Sequence, residues 1–273
     1  MSSILTNNSA MVALATLTEV NRGLNETQNR VSSGLAIRSG KDNAAYFAIS
    51  QTMAGDSSMF KSINEGLTST KNSVATARLG AETVNDLAQQ FTDRVAFAQG
   101  SGINQADVQT ELDSLVSQMT LAIDQSTFNG DDLVNATTSV TVVTGISRAS
   151  GSFATTTIAF NQVDLGAIRD TLAAIDLSTS TDLAADLATS EGALASAITA
   201  ATSLGVTEKT LDSQKQFLSS LTDTLDSGIG GMVDANMEKE AARLQAYQVQ
   251  QQLATQSLSI ANQAPQNILS LFR

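Results

Sequence analysis

Apolar residues recur in alternating steps of three and four along most of this chain, and its single proline, Pro265, stands within the last ten residues. That spacing lays a stripe along one side of a helix, and a stripe kept over several heptads specifies helices packed along their lengths. The longest run is Met53, Asp56, Phe60, Ile63, Leu67, Thr70, Val74, Ala77, Ala81, Val84, Ala88, Phe91, Val95 and Ala98, unbroken for 46 residues. As a helix it would be about 70 Å long, and Gly100 and Gly102 supply a stop. An earlier seam is Ala10, Leu14, Leu17, Asn21, Leu24, Gln28, Val31 and Leu35. A third helix fits Asn104 to about Thr127, with Val108, Leu112, Leu115, Met119 and Ala122 on one side.

A last seam keeps one register through Leu211, Gln214, Leu218, Leu221, Leu225, Gly228, Met232, Ala235, Lys239, Ala242, Ala246, Val249, Leu253, Gln256 and Ile260. Gly228, Gly230 and Gly231 are expected to loosen or kink it, and Pro265 to lie past its end. The middle of the chain differs. Thr137 to Thr157 holds eleven Ser or Thr among 21 residues, and Arg148 is the only charge between Asp132 and Asp164. Ser139–Thr144 and Ala154–Phe160 are β-branched, with Gly145 and Gly151 between them, and read as short strands. From about Leu165 to Leu204 the chain reads as helical again, in pieces. The fold class is mainly α: long antiparallel helices in a coiled-coil rod, a small β-element and a short outer insertion. The segments are 1–45 and 229–273 (terminal core helices), 46–135 and 166–228 (rod), and 136–165 (β-rich outer element).

Composition removes most chemistries. With no Cys and no His, the chain builds no disulfide and no thiolate or imidazole catalyst, and it lacks the commonest metal ligands. A net charge of −12 argues against nucleic acid or anionic membrane as partner. No apolar run approaches the roughly 18 residues of a membrane span. The first basic residue is Arg22, which points to a cytosolic chain or one exported without a cleaved signal. Gly34 to Lys41, GLAIRSGK, has five residues between its glycines and Asp42 after the lysine, so it fails as a phosphate loop. Ser58–Lys61 matches S-x-x-K, but Phe60 belongs to the long seam and no partner motif follows. Asp131 and Asp132 beside Gly130 read as a solvated turn rather than a calcium loop. No catalytic, metal or cofactor residues and no cofactor are expected; the reading is not an enzyme.

The terminal seams contain many small and polar residues and bury little area within one chain. Unburied segments cannot offset the entropy of ordering, so these helices are expected to order against other copies.

Arg30 to Ile49, RVSSGLAIRSGKDNAAYFAI, resembles the N-terminal signature of bacterial flagellins at Ser32, Ser33, Gly34, Leu35, Ile37, Ser39, Lys41, Asp42, Ala44, Ala45, Ala48 and Ile49. The last residues, ANQAPQNILSLFR, are similar to the family's terminus at Ala261, Asn262, Gln263, Pro265, Gln266, Asn267, Leu269, Ser270, Leu271 and Arg273. Phe128–Gly130 with Leu133 resembles a further family motif. The short middle and Phe272 look alphaproteobacterial. The resemblance implies a subunit that self-assembles into the helical flagellar filament for swimming motility. It would be secreted unfolded by the flagellar type III apparatus and would lie outside the cell. Its partners would be itself and the flagellar cap, hook-junction and export chaperone proteins. The residues so assigned to the filament interface are Leu14, Leu17, Leu24, Val31, Ser33, Gly34, Leu35, Lys41, Asp42, Asn43, Val249, Leu253, Ile260, Asn262, Pro265, Gln266, Asn267, Leu271 and Arg273. The alternatives are a hook–filament junction protein of the same architecture, or a coiled-coil signalling or adhesin module.

Overall fold

The computed structural model describes residues 7–149 and 152–270, the last seven of these by backbone alone. Six described helices and one hairpin follow in the order α1 (Asn8–Ser33), α2 (Ala44–Ala98), α3 (Gln105–Gln125), β1 (Ser139–Ser147), β2 (Ala154–Asn161), α4 (Leu165–Ala173), α5 (Leu183–Val233) and α6 (Met237–Ser270). Each of these helices opens on an Asn or Asp whose side chain accepts from a free first-turn N–H: Asn7, Asn43, Asn104, Asp164, Asp182 and Asn236. Such caps satisfy donors that the helix itself leaves orphaned. Gly34, at φ +73°, closes α1 by donating to the Arg30 carbonyl.

The chain forms two compact units, one of residues up to Gly55 and from Thr224 onward, the other of Asp56–Asp223. In the second unit every residue of the long seam from Asp56 to Ala98 is buried or half-buried. Val74, Ala77, Ala81, Val84, Ala88, Phe91 and Val95 are 0% exposed. α5 faces α2 antiparallel: Gln99 donates to the Leu183 carbonyl, Arg78 pairs with Glu208 at 2.7 Å and Lys71 with Asp212 at 2.6 Å. α3 also lies antiparallel to α2, through Arg94–Glu111 at 3.0 Å and the contact of Gly80 with Ser126 and Ala122. The Gln109 side chain joins α3 to the loop after α4 by bonds with the Ile175 carbonyl and the Leu177 N–H.

The strands pair antiparallel from Ser139↔Asn161 to Ser147↔Ala154. Gly145 is not in the connection, as the sequence suggested, but inside β1, where the register shifts beside Val143. A bulge inserts an extra residue and bends the strand. There the Gln214 side chain donates to the Thr144 carbonyl, and Arg148 grips Asp56 with Nε and Nη2.

Two helix-end expectations are corrected. α5 continues through Gly228, Gly230 and Gly231, and the break falls at residues 234–236. The cause is a competing partner: Ala36 and Ile37 N–H groups take the Val233 carbonyl at 2.7 and 3.3 Å, and Ala235 donates to the Gly34 carbonyl at 2.8 Å. The loop after α1 therefore captures backbone groups that would have continued α5, and Asn236 caps a new helix. Pro265, expected beyond the last helix, lies within the α6 backbone. Proline has no N–H to give the carbonyl one turn back. That carbonyl, of Ala261, instead accepts from Asn7 Nδ2 at 2.7 Å.

Candidate self-association surface

In the first unit α1 and α6 lie antiparallel, their contacts falling in opposite chain order. Asn7 meets Ala261, Asn21 Oδ1 accepts from Gln251 Nε2 at 2.7 Å, Gly23 lies under the Tyr247 ring, and Arg30 approaches Glu240 at 3.8 Å. A Cβ at Gly23 would stand 2.6 Å from Tyr247 Cζ, so the missing side chain is what lets the phenol seat. Glu240 is only 5% exposed. Arg243 bonds it at 2.9 Å and Arg30 faces it across the seam. Removing one partner of a buried charge costs far more than the pair contributes, so these arginines hold the carboxylate in place.

The seam differs from the sequence-based one. α1 turns inward Ala10, Ala13, Leu17, Val20, Leu24, Thr27 and Val31, so Leu14 and Gln28 give way to Ala13 and Thr27. In α6 the whole stripe moves one or two residues on at each position, to Glu240, Leu244, Tyr247, Gln251, Ala254, Leu258 and Ala261. One residue is 100° of helix, enough to turn the expected stripe outward. Val249, Leu253 and Ile260 are therefore 55, 59 and 69% exposed, and Leu14 is 54% exposed beside exposed Met11 and Val12. An open groove of about 530 Å³ runs between the helices, with Thr16, Val20, Tyr247, Leu253 and Ala254 on its walls. This helix pair thus carries an inner face used within the chain and an outer apolar face left open.

Of the other residues singled out from the sequence, Leu24 is buried against α6 and Leu17 and Val31 half-buried there. Ser33 ends α1, and Gly34, Leu35, Lys41, Asp42 and Asn43 share the loop from α1 to α2. Ser33 Oγ donates to the Asn29 carbonyl, Leu35 bridges to Asp234, and Asn43 caps α2. Asp42 closes the loop by accepting from the Arg38 and Ser39 N–H groups, both at 3.0 Å, which holds its carboxyl below the usual aspartate range. Beside it, Arg30, Arg38 and Lys41 share a polar cleft of about 350 Å³ with Glu26. Asn262 is exposed. Pro265, Gln266 and Asn267 are described by backbone only, and Leu271 and Arg273 lie outside the described residues. The sequence reading missed Asn7, Tyr247, Gln251 and Glu240. Leu244, Tyr247 and Leu258 were the available signal, a second heptad row one to two residues out of step with the first.

Among the described residues no cluster of His, Cys, Asp or Glu suits a metal ion, and no described helix is long and apolar enough to cross a membrane. Two family models match the chain: the bacterial flagellin N-terminal helical region over residues 4–139 and the bacterial flagellin C-terminal helical region over residues 187–272. A flagellin of Brucella melitensis is 38% identical over 281 residues, covering all of both chains. Flagellin FljM of Caulobacter vibrioides is 33% identical over 276 residues, covering all of this chain and 99% of its own. A putative flagellar hook-associated protein from Vibrio parahaemolyticus shares the fold at a TM-score of 0.50 and 15% identity, over 69% of this chain and 96% of its own.

Proposed function

The chain belongs to the bacterial flagellin family, and from that premise we propose which of its surfaces builds the filament and how it reaches its place. It is a structural subunit that self-assembles into the flagellar filament. The observation that carries the surface assignment is the outward stripe Val249, Leu253 and Ile260, apolar and open on a helix whose other face is already occupied. Fully burying such side chains stabilises by roughly 1.5–3 kcal/mol each, a gain the single chain leaves untaken. Heterologous contacts that do not close into a ring extend as a helix, and this is the assembly such a stripe suits. Residues 1–45 and 229–273 then form the filament core, 46–135 and 166–228 the rod, and 136–165 the outer element. The loop from Ser33 to Asn43 and the terminal Asn262–Arg273 segment complete the interface.

The filament serves swimming motility outside the cell, fed by export through the flagellar type III apparatus. Cap, hook-junction and chaperone proteins are the further partners. The role is structural rather than catalytic, in keeping with a sequence that has neither His nor Cys. Seeded elongation followed by electron microscopy tests the reading. Filament fragments should grow on addition of the purified chain, and Leu253→Asp should stop growth while leaving the free chain's thermal unfolding unchanged. An unpaired carboxylate costs several kcal/mol once buried between copies and nothing while it faces water. Normal elongation of Leu253→Asp would remove the assignment.

A further inference from the structure

Of the described residues other than glycine, only Asn129 has a positive φ, +51°. Gly130 follows it at φ +86°. Phe128 and Asp131 close over the pair, each donating its N–H to the other's carbonyl, at 3.2 and 2.9 Å. Two central residues with positive φ make a type I′ turn, the conformation that favours Asn-Gly. No other asparagine in the chain precedes a glycine. Asn129 and Gly130 are both exposed. Among the described residues neither the Asn129 carboxamide nor the Gly130 N–H has a hydrogen-bond partner. Open space surrounds the place where a side chain on residue 130 would stand. An exposed carboxamide is thus followed directly by an unshielded, unbonded backbone nitrogen. The other asparagines precede residues that carry a side chain, and most lie within helices or cap them, where the following backbone is fixed.

We propose that Asn129 is a site of spontaneous modification, at which the chain converts its own amide to aspartate and isoaspartate without an enzyme. The inference does not rest on the filament reading. The Gly130 nitrogen, its proton taken up by solvent, attacks Cγ of Asn129. The new N–Cγ bond closes a succinimide ring as the Cγ–Nδ2 bond breaks, and Nδ2 leaves as ammonia. One water then opens the ring. Attack at Cγ restores the ordinary backbone with a carboxylate at position 129. Attack at the main-chain carbonyl leaves the chain running through the side chain, as isoaspartate. Before the ring can close, Asn129 has to rotate out of the left-handed region, which a non-glycine residue has little intrinsic preference for keeping. What holds it there is the pair of bonds between Phe128 and Asp131, so opening of this turn sets the rate. The product acts on the same turn. Isoaspartate lengthens the backbone between Phe128 and Asp131, and the two bonds lose their register. Asp131 is also the acceptor for Ser73 Oγ at 3.1 Å, on a serine only 4% exposed in α2. Modification therefore loosens the tie between α2 and the segment after α3.

The full chain, held in neutral buffer for weeks and then digested, gives the test. Mass spectrometry of the separated peptides counts each asparagine that has become an acid, and enzymatic methylation marks isoaspartate. Asn129 should convert at least about tenfold faster than any other asparagine, a barrier lower by about 1.4 kcal/mol. Both acids should appear at position 129. Asn129→Gln keeps the amide but has to form a larger ring, so isoaspartate at this position should be lost. Conversion of another asparagine before Asn129, isoaspartate undiminished in Asn129→Gln, or aspartate without isoaspartate overturns the proposal. In the aged chain the Phe128 and Asp131 amides should exchange faster than in fresh protein. Exchange unchanged after conversion overturns the loosening of the turn.

Discussion

The two units share helix length, antiparallel pairing and heptad spacing, yet differ in how far they finish their own packing. In the Asp56–Asp223 unit the α2 seam is closed, and Leu112, Met119, Leu172, Leu204 and Leu211 join it at 0% exposure. Among the described residues of the other unit the only buried apolar side chains are Val20, Leu24, Val233 and Ala254, none below 8% exposure. Side-chain size and placement account for this. α2 puts Phe60, Leu67, Phe91 and Val95 on a single stripe, whereas α6 divides its apolar residues between two stripes one to two residues apart, and its inner one includes Gln251 and Ala254. Heptad spacing alone therefore tells a helix that completes itself from one that awaits a partner only when each stripe is followed separately.

Substitutions can break this comparison. The largest effect is expected from Phe91→Ala, which empties a fully buried site and should cost about 3–5 kcal/mol in thermal or denaturant unfolding. A cost below 1 kcal/mol would mean the Asp56–Asp223 unit is no better packed than the other. Gly80→Ala comes next. A Cβ there would stand 2.6 Å from Ser126 Cβ, an atom fixed to the α3 backbone, so α2 and α3 must part, at about 1–3 kcal/mol.

Gly23→Ala is the matched change in the unit of α1 and α6. Its obstacle is the far end of Tyr247, which can swing outward, and alanine gains up to about 1 kcal/mol in helix propensity. The unfolding midpoint should stay within a degree or two of the unaltered one; a loss equal to that of Gly80→Ala would show the two units to be equally tight. The smallest effect belongs to Asp42→Asn. Because the Asp42 carboxyl titrates below its ordinary value of 3.8, its contribution is present above that value and fades as pH falls through the lower folded pKa. Exchange of the Arg38 and Ser39 amides should be faster in the variant near pH 6, and the difference should vanish at acid pH. A difference unchanged at acid pH would assign the loop's order to something other than the carboxylate.

Much of this was legible in the residues. The α2 seam was readable because one unbroken register leaves no choice of face, and Gly100, Gly102 and Asn104 bounded it by local chemistry. The hairpin showed in its β-branched runs. The break between α5 and α6 was hidden because tertiary backbone bonds from residues 34–37 create it, and the nearby glycines suggested the wrong place. Pro265 misled for a similar reason, since the donor replacing its missing N–H comes from Asn7, far away in sequence. The α6 seam was misread because two stripes fit the period equally. Only the partner helix chooses between them, through Gly23 beneath Tyr247 and Asn21 against Gln251.

The central claim is that one unit is complete in the single chain and the other is completed by its neighbours. Amide hydrogen exchange, read residue by residue in the free chain and in the filament, tests it most directly. Exchange reports the local opening free energy of each segment. In the free chain α1 and α6 should exchange at least about a hundredfold faster than the Val74–Val95 stretch of α2, equivalent to roughly 3 kcal/mol of opening free energy. In the filament the two should become comparably protected, with the gain concentrated in α1 and α6. If α1 and α6 are as protected as α2 before assembly, or gain nothing from it, the claim is wrong.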